Sequence, residues 1–365
     1  MEVNQNNYCV IMAGGIGSRF WPMSKTSNPK QFIDILGTGS TLIQQTFNRF
    51  LKICPSENIL IVTNQIYKEL VMEQLPNISE NQVLCEPIGR NTAPCIAYAN
   101  YKILETNPDA KIIVAPSDHI ILKENEFIST LLSALKASTE NDWLITLGIR
   151  PSRPDTGYGY IQYIDKEIYK TDNRLKRVKT FTEKPALEKA KMFLESGDYL
   201  WNAGIFIWSL ASINKAFEMY LPNVNSLFKK GIGHYNTADE TSFINETYAS
   251  CQNISIDYGV MEKADNVYVL ASDFGWSDLG TWGSLFDVRE RDQNNNAIIG
   301  NNVMIYDTKN CIVHVPKDKL VVLQGLDDFI VVENDGVLLI CKKNEEQQIK
   351  QFVTDVKEQK GNQYI

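Results

Sequence analysis

"CVIMAGGIGSRFWPMSKTSNPKQF" occupies Cys9–Phe32. It begins as a short apolar run and breaks into Gly14, Gly15 and Gly17. It then places Arg19, Lys25 and Lys30 in a loop that also holds Pro22 and Pro29. Glycines after a strand let backbone N–H groups approach phosphate oxygens and accept dihedrals that other residues avoid. Three cations on one loop with no acid between them repel one another unless an anion is held among them. The stretch therefore predicts a phosphate site. It is not a P-loop, because no Gly-Lys-Ser/Thr follows at the required spacing. It is not a dinucleotide fingerprint either: counted from Gly15, Phe20 stands where the third glycine belongs. A plain tight turn and a solvated basic loop are the competing readings, and Lys25 reads equally well as a solvated cation.

Around this stretch, apolar strands alternate with amphipathic helices. Strands are expected at Tyr8–Ala13, Ile59–Thr63, Gln82–Cys85, Lys111–Ala115 and Trp143–Leu147. Helical patterns fall between them, one placing Ile43, Phe47, Phe50, Leu51 and Cys54 on a single face. Such alternation predicts an α/β fold with a mostly parallel sheet covered by helices. Open sheets of that kind bind ligands beyond the carboxyl ends of their strands. The glycine stretch and the loop Pro116–His119 both follow strands and so can reach one crevice. From about Arg150 to Ser272 strands and helices mix, which reads as a sheet extension housing a second substrate. After the polar segment Gln293–Asn296 come short apolar runs separated by turns such as "GLDD" and "ENDG". These predict a small all-β unit, followed by a polar helix near Glu345–Lys357. The expected division is residues 1–290 and a β-rich 291–365, with no strong internal repeat.

Composition narrows the class. The chain has 365 residues, 44% of them hydrophobic and 22% charged, and a net charge of -8. This is an ordinary globular composition whose acidity argues against nucleic acid or an anionic membrane as the main partner. The seven cysteines are scattered, with no CxxC pair, so they read as free thiols in a reducing compartment. "MEVNQNNY" has no basic and apolar signal-peptide pattern, and no apolar run reaches membrane-spanning length. A cytoplasmic location is expected.

Several stretches together carry a resemblance. "AGGIGSRFWPMSKTSNPKQF", "EPIGRNTAPCIA" (Glu86–Ala97), "APSDH" (Ala115–His119), "FTEKP" (Phe181–Pro185), "WNAGIFIW" (Trp201–Trp208), "SIDYGVMEK" (Ser255–Lys263) and "WSDLGTW" (Trp276–Trp282) follow one another in order. They resemble the motifs of the sugar-nucleotide pyrophosphorylases, and the "RFWP…NPKQF" form is similar to the mannose-1-phosphate guanylyltransferases. The resemblance covers about residues 8–290 and runs into the tail. It implies a Rossmann-like nucleotidyltransferase fold with a mixed, mostly parallel sheet. It also implies transfer of GMP from GTP to mannose 1-phosphate, with Mg2+ as cofactor. The same chemistry on another nucleotide or sugar, and a non-catalytic subunit that senses nucleotide sugars, are the alternatives.

By the same resemblance, Gly14, Gly15 and Gly17 cradle the triphosphate, Arg19 holds the leaving phosphates and Lys30 reaches the reacting phosphate. Asp118 and Asp278 bind the metal. Each of these aspartates could instead cap a helix. Glu86, Arg90, Asn91 and Thr92 belong to the nucleotide, although Asn91 or Thr92 could be an N-cap. Glu183, Lys184 and Asn202 belong to the sugar, with Gly157 allowing close approach, against the competing reading of a surface Glu–Lys pair. Phe206 and Trp208 read as packing. Longer relatives carry an isomerase domain with metal-binding histidines. Here His314 is the only histidine of the tail, so isomerase activity is not expected. A homodimer through the C-terminal part is possible, and Lys25 has no assigned role.

Overall fold

A computed structural model describes residues 4–365. Met1–Val3, part of the stretch judged for a signal peptide, lie outside the described residues. The strands are β1 (Asn7–Met12), β2 (Ile59–Asn64), β3 (Val83–Glu86), β4 (Lys111–Pro116), β5 (Ile120–Ile121), β6 (Leu144–Ile149), β7 (Tyr160–Ile164), β8 (Leu175–Thr182), β9 (Tyr199–Ser209), β10 (Val267–Ser272) and β11 (Trp276–Ser277). The helices threaded among them are α1 (Leu42–Phe50), α2 (Lys68–Gln74), α3 (Thr92–Leu104), α4 (Glu124–Glu140), α5 (Leu187–Ser196), α6 (Leu210–Tyr220), α7 (Pro222–Lys229) and α8 (Glu240–Ser250). After them come α9 (Trp282–Val288) and α10 (Ile349–Lys360).

The main sheet has nine strands in the order β3-β2-β1-β4-β9-β6-β10-β8-β7. β1 runs parallel to β2 and β4, β2 to β3, and β6 to β10. β9 is antiparallel to β4, β6 and β7. β8 is antiparallel to β10 and β7. The architecture is mixed α/β: a reversed strand separates the two parallel blocks. The run Ile205–Trp208 of β9 is buried at every position, as in a strand covered on both faces. Its apolar pattern therefore says "central" without giving direction.

The ladder also delivers the loops. The amide of Ala13 donates to Val62 O at 2.7 Å, and the Thr63 hydroxyl donates to Ala13 O at 2.8 Å. These bonds hold the chain straight up to the first glycine. The amide of Ser117 donates to Met12 O at 3.0 Å, fixing the turn after β4 beside the end of β1. Leu51, expected on the buried face of α1, lies beyond the helix end and is exposed.

Two compact units emerge. One comprises residues up to Gly14, Gln44–Ser117 and Ile121–Trp276. The other comprises Gly15–Ile43, Asp118–Ile120 and Ser277–Ile365. In the second unit lie β12 (Ala297–Ile299), β13 (Val303–Tyr306), β14 (Ile312–His314), β15 (Val321–Gln324), β16 (Phe329–Asn334) and β17 (Val337–Lys342). β12, β14 and β16 pair in parallel, as do β13 and β15, and only β16–β17 is a hairpin. The tail is therefore a stack of parallel coils. Val313 and Val331 face an inner cluster with Cys311, Val315 and Leu323, while Ile312 and Ile330 face Phe20 and Trp282 on the other side. A coil repeat is present that residue identity alone concealed.

Candidate active site

Lys30 is the most constrained group of the glycine loop. It is buried, 3% exposed, on a single turn of 3-10 helix formed by Lys30–Phe32. Its ammonium lies 2.8 Å from Asp118 Oδ2 and donates to the carbonyls of Asp278 at 2.9 Å and Leu279 at 2.7 Å. An ammonium has three donors, and these contacts use all of them. The Phe20 ring lies 5.6 Å from the same nitrogen. Gly17 has φ +72°, and a Cβ there would meet Lys30 Cβ at 2.7 Å. Gly17 is thus required both by its backbone and by the lysine stem lying against it. The Lys30 amide donates back to Ile16 O at 3.2 Å, closing the loop on itself.

Arg19 sits on the preceding 3-10 turn, Ser18–Phe20. Its Nε is buried and has no hydrogen-bond partner among the described residues. A buried charged donor without an acceptor is costly, and an anion removes that cost. Lys25, in contrast, pairs with Asp335 at 3.0 Å.

Asp118 is a carboxylate held ready. Burial raises its pKa, but the Lys30 ammonium, the His119 charge and its hydrogen bonds outweigh that and keep it below the usual carboxylate range. Its side chain remains 29% exposed. Asp278 Oδ1 accepts the Gly280 amide at 3.0 Å, and the cap of α9 is Thr281, so Asp278 is not the cap. One ammonium thus bridges the Asp118 carboxylate and the Asp278 backbone. Two carboxylates with hard oxygen donors fit magnesium, which takes one or two of them and completes its shell with phosphate and water. Among the described residues no group of three His, Cys, Asp or Glu could hold a metal alone.

The other candidates lie in the first compact unit. Glu86 ends β3 and is buried. Tyr248 donates to its Oε1 at 3.0 Å, and the Cβ position of Gly14 is 3.5 Å from its Oε2. Burial pushes the Glu86 carboxyl up to about 7, against the Tyr248 hydrogen bond. The other three nucleotide candidates have structural partners. Arg90 donates to Tyr248 O at 3.1 Å, Asn91 is the N-cap of α3 with φ 67°, and the Thr92 hydroxyl accepts the Ile256 amide at 2.9 Å. Gly15 has nothing within 4 Å of its Cβ position.

Glu183, Lys184 and Asn202 form a second cluster. Glu183 and Lys184 are ion-paired, the carboxylate nearly buried and the ammonium exposed. Asn202 lies opposite Gly148, beside a bulge in the β6–β9 pairing. Such bulges re-aim side chains at functional sites. Its Oδ1 accepts Thr146 Oγ1 at 2.8 Å and the Gly204 amide at 3.1 Å, which leaves Nδ2 to donate to Asp257 at 2.9 Å. Burial, and then the Glu183 charge, push the Asp257 carboxyl up to about 7. Asp257 opens a π-helical turn, Asp257–Met261, a form frequent at functional sites. Gly159 is the glycine in this cluster: a Cβ there would clash with Glu183 Oε2 and meet Asn202 Cβ at 3.3 Å. Gly157 instead donates its amide to Asp155 Oδ1 at 2.8 Å. Asp257 and Gly159 stand inside the quoted "SIDYGVMEK" and beside Gly157, and only the fold distinguishes them. Phe206 and Trp208 are buried and stacked, as expected for packing.

Comparison with known proteins decides the family. Residues 8–295 match the nucleotidyl transferase family model, and 300–356 match that of the MannoseP isomerase/GMP-like beta-helix domain. The chain is 35% identical to the mannose-1-phosphate guanylyltransferase of Salmonella montevideo, over 98% of this chain and 75% of that protein. The chain belongs to the mannose-1-phosphate guanylyltransferase family of nucleotidyl transferases. Another relative, the alginate biosynthesis protein AlgA of Pseudomonas aeruginosa, is 35% identical over 95% of this chain and 71% of its own length. The crystal structure named mannose-1-phosphate geranyltransferase from Thermus thermophilus superposes with a TM-score of 0.85 at 28% identity. It covers 97% of this chain and 100% of its own. The beta-helix description suits the parallel coils of β12–β16. No helix among the described residues is long and apolar enough to cross a membrane.

Proposed function

We propose that this chain transfers GMP from GTP to mannose 1-phosphate, giving GDP-mannose and pyrophosphate. The phosphate oxygen of the sugar attacks the α-phosphorus in line, one P–O bond forms, and the bond to pyrophosphate breaks. Two polyanions must meet, so the work falls on charge neutralisation and positioning. The observation that carries the reading is the buried Lys30 ammonium, held between the Asp118 carboxylate and the carbonyls of Asp278 and Leu279. Since its three donors are all engaged, a phosphate oxygen at Lys30 replaces one of those acceptors and takes up charge as the transition state develops. Arg19, with its unpaired buried Nε, holds the leaving pyrophosphate. Gly14, Gly15 and Gly17 bring backbone close to the phosphates, and Lys25 contacts no phosphate. Asp118 and Asp278 hold Mg2+, which neutralises phosphate charge when bound.

Glu86, with Arg90, Asn91 and Thr92 shaping the turn after it, serves the nucleotide. Glu183, Asn202 and Asp257 serve the sugar hydroxyls, Lys184 its phosphate, and Gly159, rather than the expected Gly157, the close backbone. The parallel run β3-β2-β1-β4 is the Rossmann-like half of the sheet in this reading. Residues 1–290 perform the transfer and 291–365 form an accessory β-rich part. The exposed apolar side chains Met304, Tyr306, Val322, Leu338 and Ile340 support its use in a homodimer. The free cysteines and the proposed substrates support a cytoplasmic location.

The test is a pyrophosphate-release panel with GTP, UTP, dTTP and CTP against mannose 1-phosphate and glucose 1-phosphate. Turnover is expected with GTP and mannose 1-phosphate. Activity confined to another nucleotide sinks the guanylyl assignment, and no turnover with any pair favours the sensing subunit.

A further inference from the structure

The loop from Gly15 to Phe32 contains only two three-residue 3-10 turns as regular structure. A loop that must hold Arg19 and Lys30 still needs other contacts to do so. Beside the bonds the loop makes to itself, several of those contacts come from residues 282–364. Trp21 Nε1 donates to the Tyr364 carbonyl at 2.7 Å. The Pro22 carbonyl accepts Asn334 Nδ2 at 3.1 Å. Lys25 Nζ lies 3.0 Å from Asp335 Oδ2, and Asn334 Nδ2 also donates to that oxygen, at 3.2 Å. The Trp21 carbonyl accepts the Trp282 indole at 3.4 Å, and Phe20 packs on Trp282 with ring centroids 4.9 Å apart. Every contact is made within one compact unit.

We propose that the turn Glu333–Gly336 and the Tyr364 carbonyl are positioning elements for nucleotidyl transfer. Asn334 and Asp335 hold Pro22 and Lys25, and through them the backbone that carries Arg19 and Lys30. Asn334 closes β16, and Asp335 has φ 48° in the hairpin turn to β17. The left-handed turn is what presents both polar side chains to one stretch of loop. The contacts are poor candidates for a purely stabilising role. In the Lys25–Asp335 pair Asp335 is 69% exposed although Lys25 is 11% exposed, and an ion pair whose carboxylate is solvated is screened and contributes little to stability. What they fix is geometry. A misplacement near 1 Å of a catalytic group costs about a hundredfold in rate. The role of Lys25 follows: it is an anchor of the loop rather than a phosphate ligand.

The proposal rests on the transfer function argued above for Arg19 and Lys30, so its test carries a readout independent of turnover. The variants are Asp335→Lys, Lys25→Asp, their combination, Asn334→Ala and Asn334→Asp. Asn334→Asp keeps the size of the side chain but cannot donate to Pro22. Expected are a fall in kcat of about tenfold or more for each single change, set by loss of positioning, with KM for both substrates within about twofold. Asn334→Asp should be at least as damaging as Asn334→Ala, and the charge swap should recover most of kcat. Amide hydrogen exchange of residues 16–32 should quicken in Asp335→Lys and recover in the swap. Unchanged exchange and unchanged kcat in the single variants, or a swap no better than either single change, overturns the proposal. If the wild-type chain does not transfer GMP, the functional reading falls, and the exchange result still decides the anchor.

Discussion

The Lys30 ammonium lies 2.8 Å from Asp118 Oδ2, the lysine side chain 4% exposed and the aspartate 29%. Removing one partner leaves the other desolvated without its counter-charge. Lys30→Ala therefore loses transition-state charge stabilisation and perturbs Asp118 together. The expected loss in kcat/KM is about a thousandfold, the scale of deleting one oxyanion-type donor. Lys30→Arg should not rescue, because a planar guanidinium cannot reproduce three donors aimed at a carboxylate and two carbonyls. Steady-state kinetics of both variants with GTP and mannose 1-phosphate check this. Wild-type turnover by Lys30→Ala removes Lys30 from the mechanism.

In the proposed reading Asp118 and Asp278 are two carboxylate ligands of a magnesium shell that substrate and water oxygens complete. Losing either should weaken metal affinity about tenfold or more, in the range of losing a supporting group at a metal site. Asp278→Ala is the cleaner variant, because Lys30 donates to the Asp278 backbone carbonyl, which the substitution keeps. Manganese titration by electron paramagnetic resonance, with GTP present, reads affinity directly. An unchanged affinity in Asp278→Ala assigns that carboxylate to its Gly280 turn alone.

Parts of this arrangement were legible beforehand for identifiable reasons. The strands leading into the glycine loop and into Pro116–His119 could be read because their apolar runs are unambiguous, whereas the Lys30–Asp118 pair and the crowding of Gly17 against Lys30 appear only in the fold. The reversal at β9 was not legible, because a strand buried on both faces has no alternation to read. The coil repeat escaped because it is carried by conformation. Asn295, Asn310 and Asp328 precede the matched residues Ala297, Ile312 and Ile330, all with φ near 60°. Asn and Asp are the non-glycine residues that most readily adopt it. The partner of Lys25 lies 310 positions away, beyond the reach of any local pattern.

Glu86 yields a pH prediction with a definite sign. Its folded carboxyl titrates at about 7, above the ordinary value, because burial disfavours the charge. A raised folded pKa means that the native state binds the proton more tightly than the unfolded chain. The resulting stability is present below the unfolded pKa, about 4.3, and is lost as pH rises to 7. Glu86→Gln removes this loss. It should stabilise the protein relative to wild type at pH 8 by up to about 4 kcal/mol and differ little at pH 4. Tyr248→Phe, which removes the hydrogen bond favouring the carboxylate, should move the wild-type loss to higher pH. Urea melts across that range check both, and a gap between Glu86→Gln and wild type that does not change with pH refutes the assignment.

Gly159 and Gly157 give the sharpest test of the sugar cluster. A Cβ at Gly159 would clash with Glu183 Oε2 and meet Asn202 Cβ at 3.3 Å, so Gly159→Ala must displace the Glu183 carboxylate. A Cβ at Gly157 would meet only Asp155 Oδ1, at 3.1 Å, on an exposed turn. If Glu183 takes the sugar hydroxyls, Gly159→Ala should raise KM for mannose 1-phosphate about tenfold, the value of one charge-assisted hydrogen bond. KM for GTP should stay near wild type, since Glu86 and Gly14 are untouched. Gly157→Ala should leave both constants within about twofold, as an exposed substitution does. Glu183→Gln should reproduce the Gly159→Ala profile. If Gly157→Ala impairs sugar binding and Gly159→Ala does not, the sugar lies on the Asp155 side of the turn rather than against Glu183.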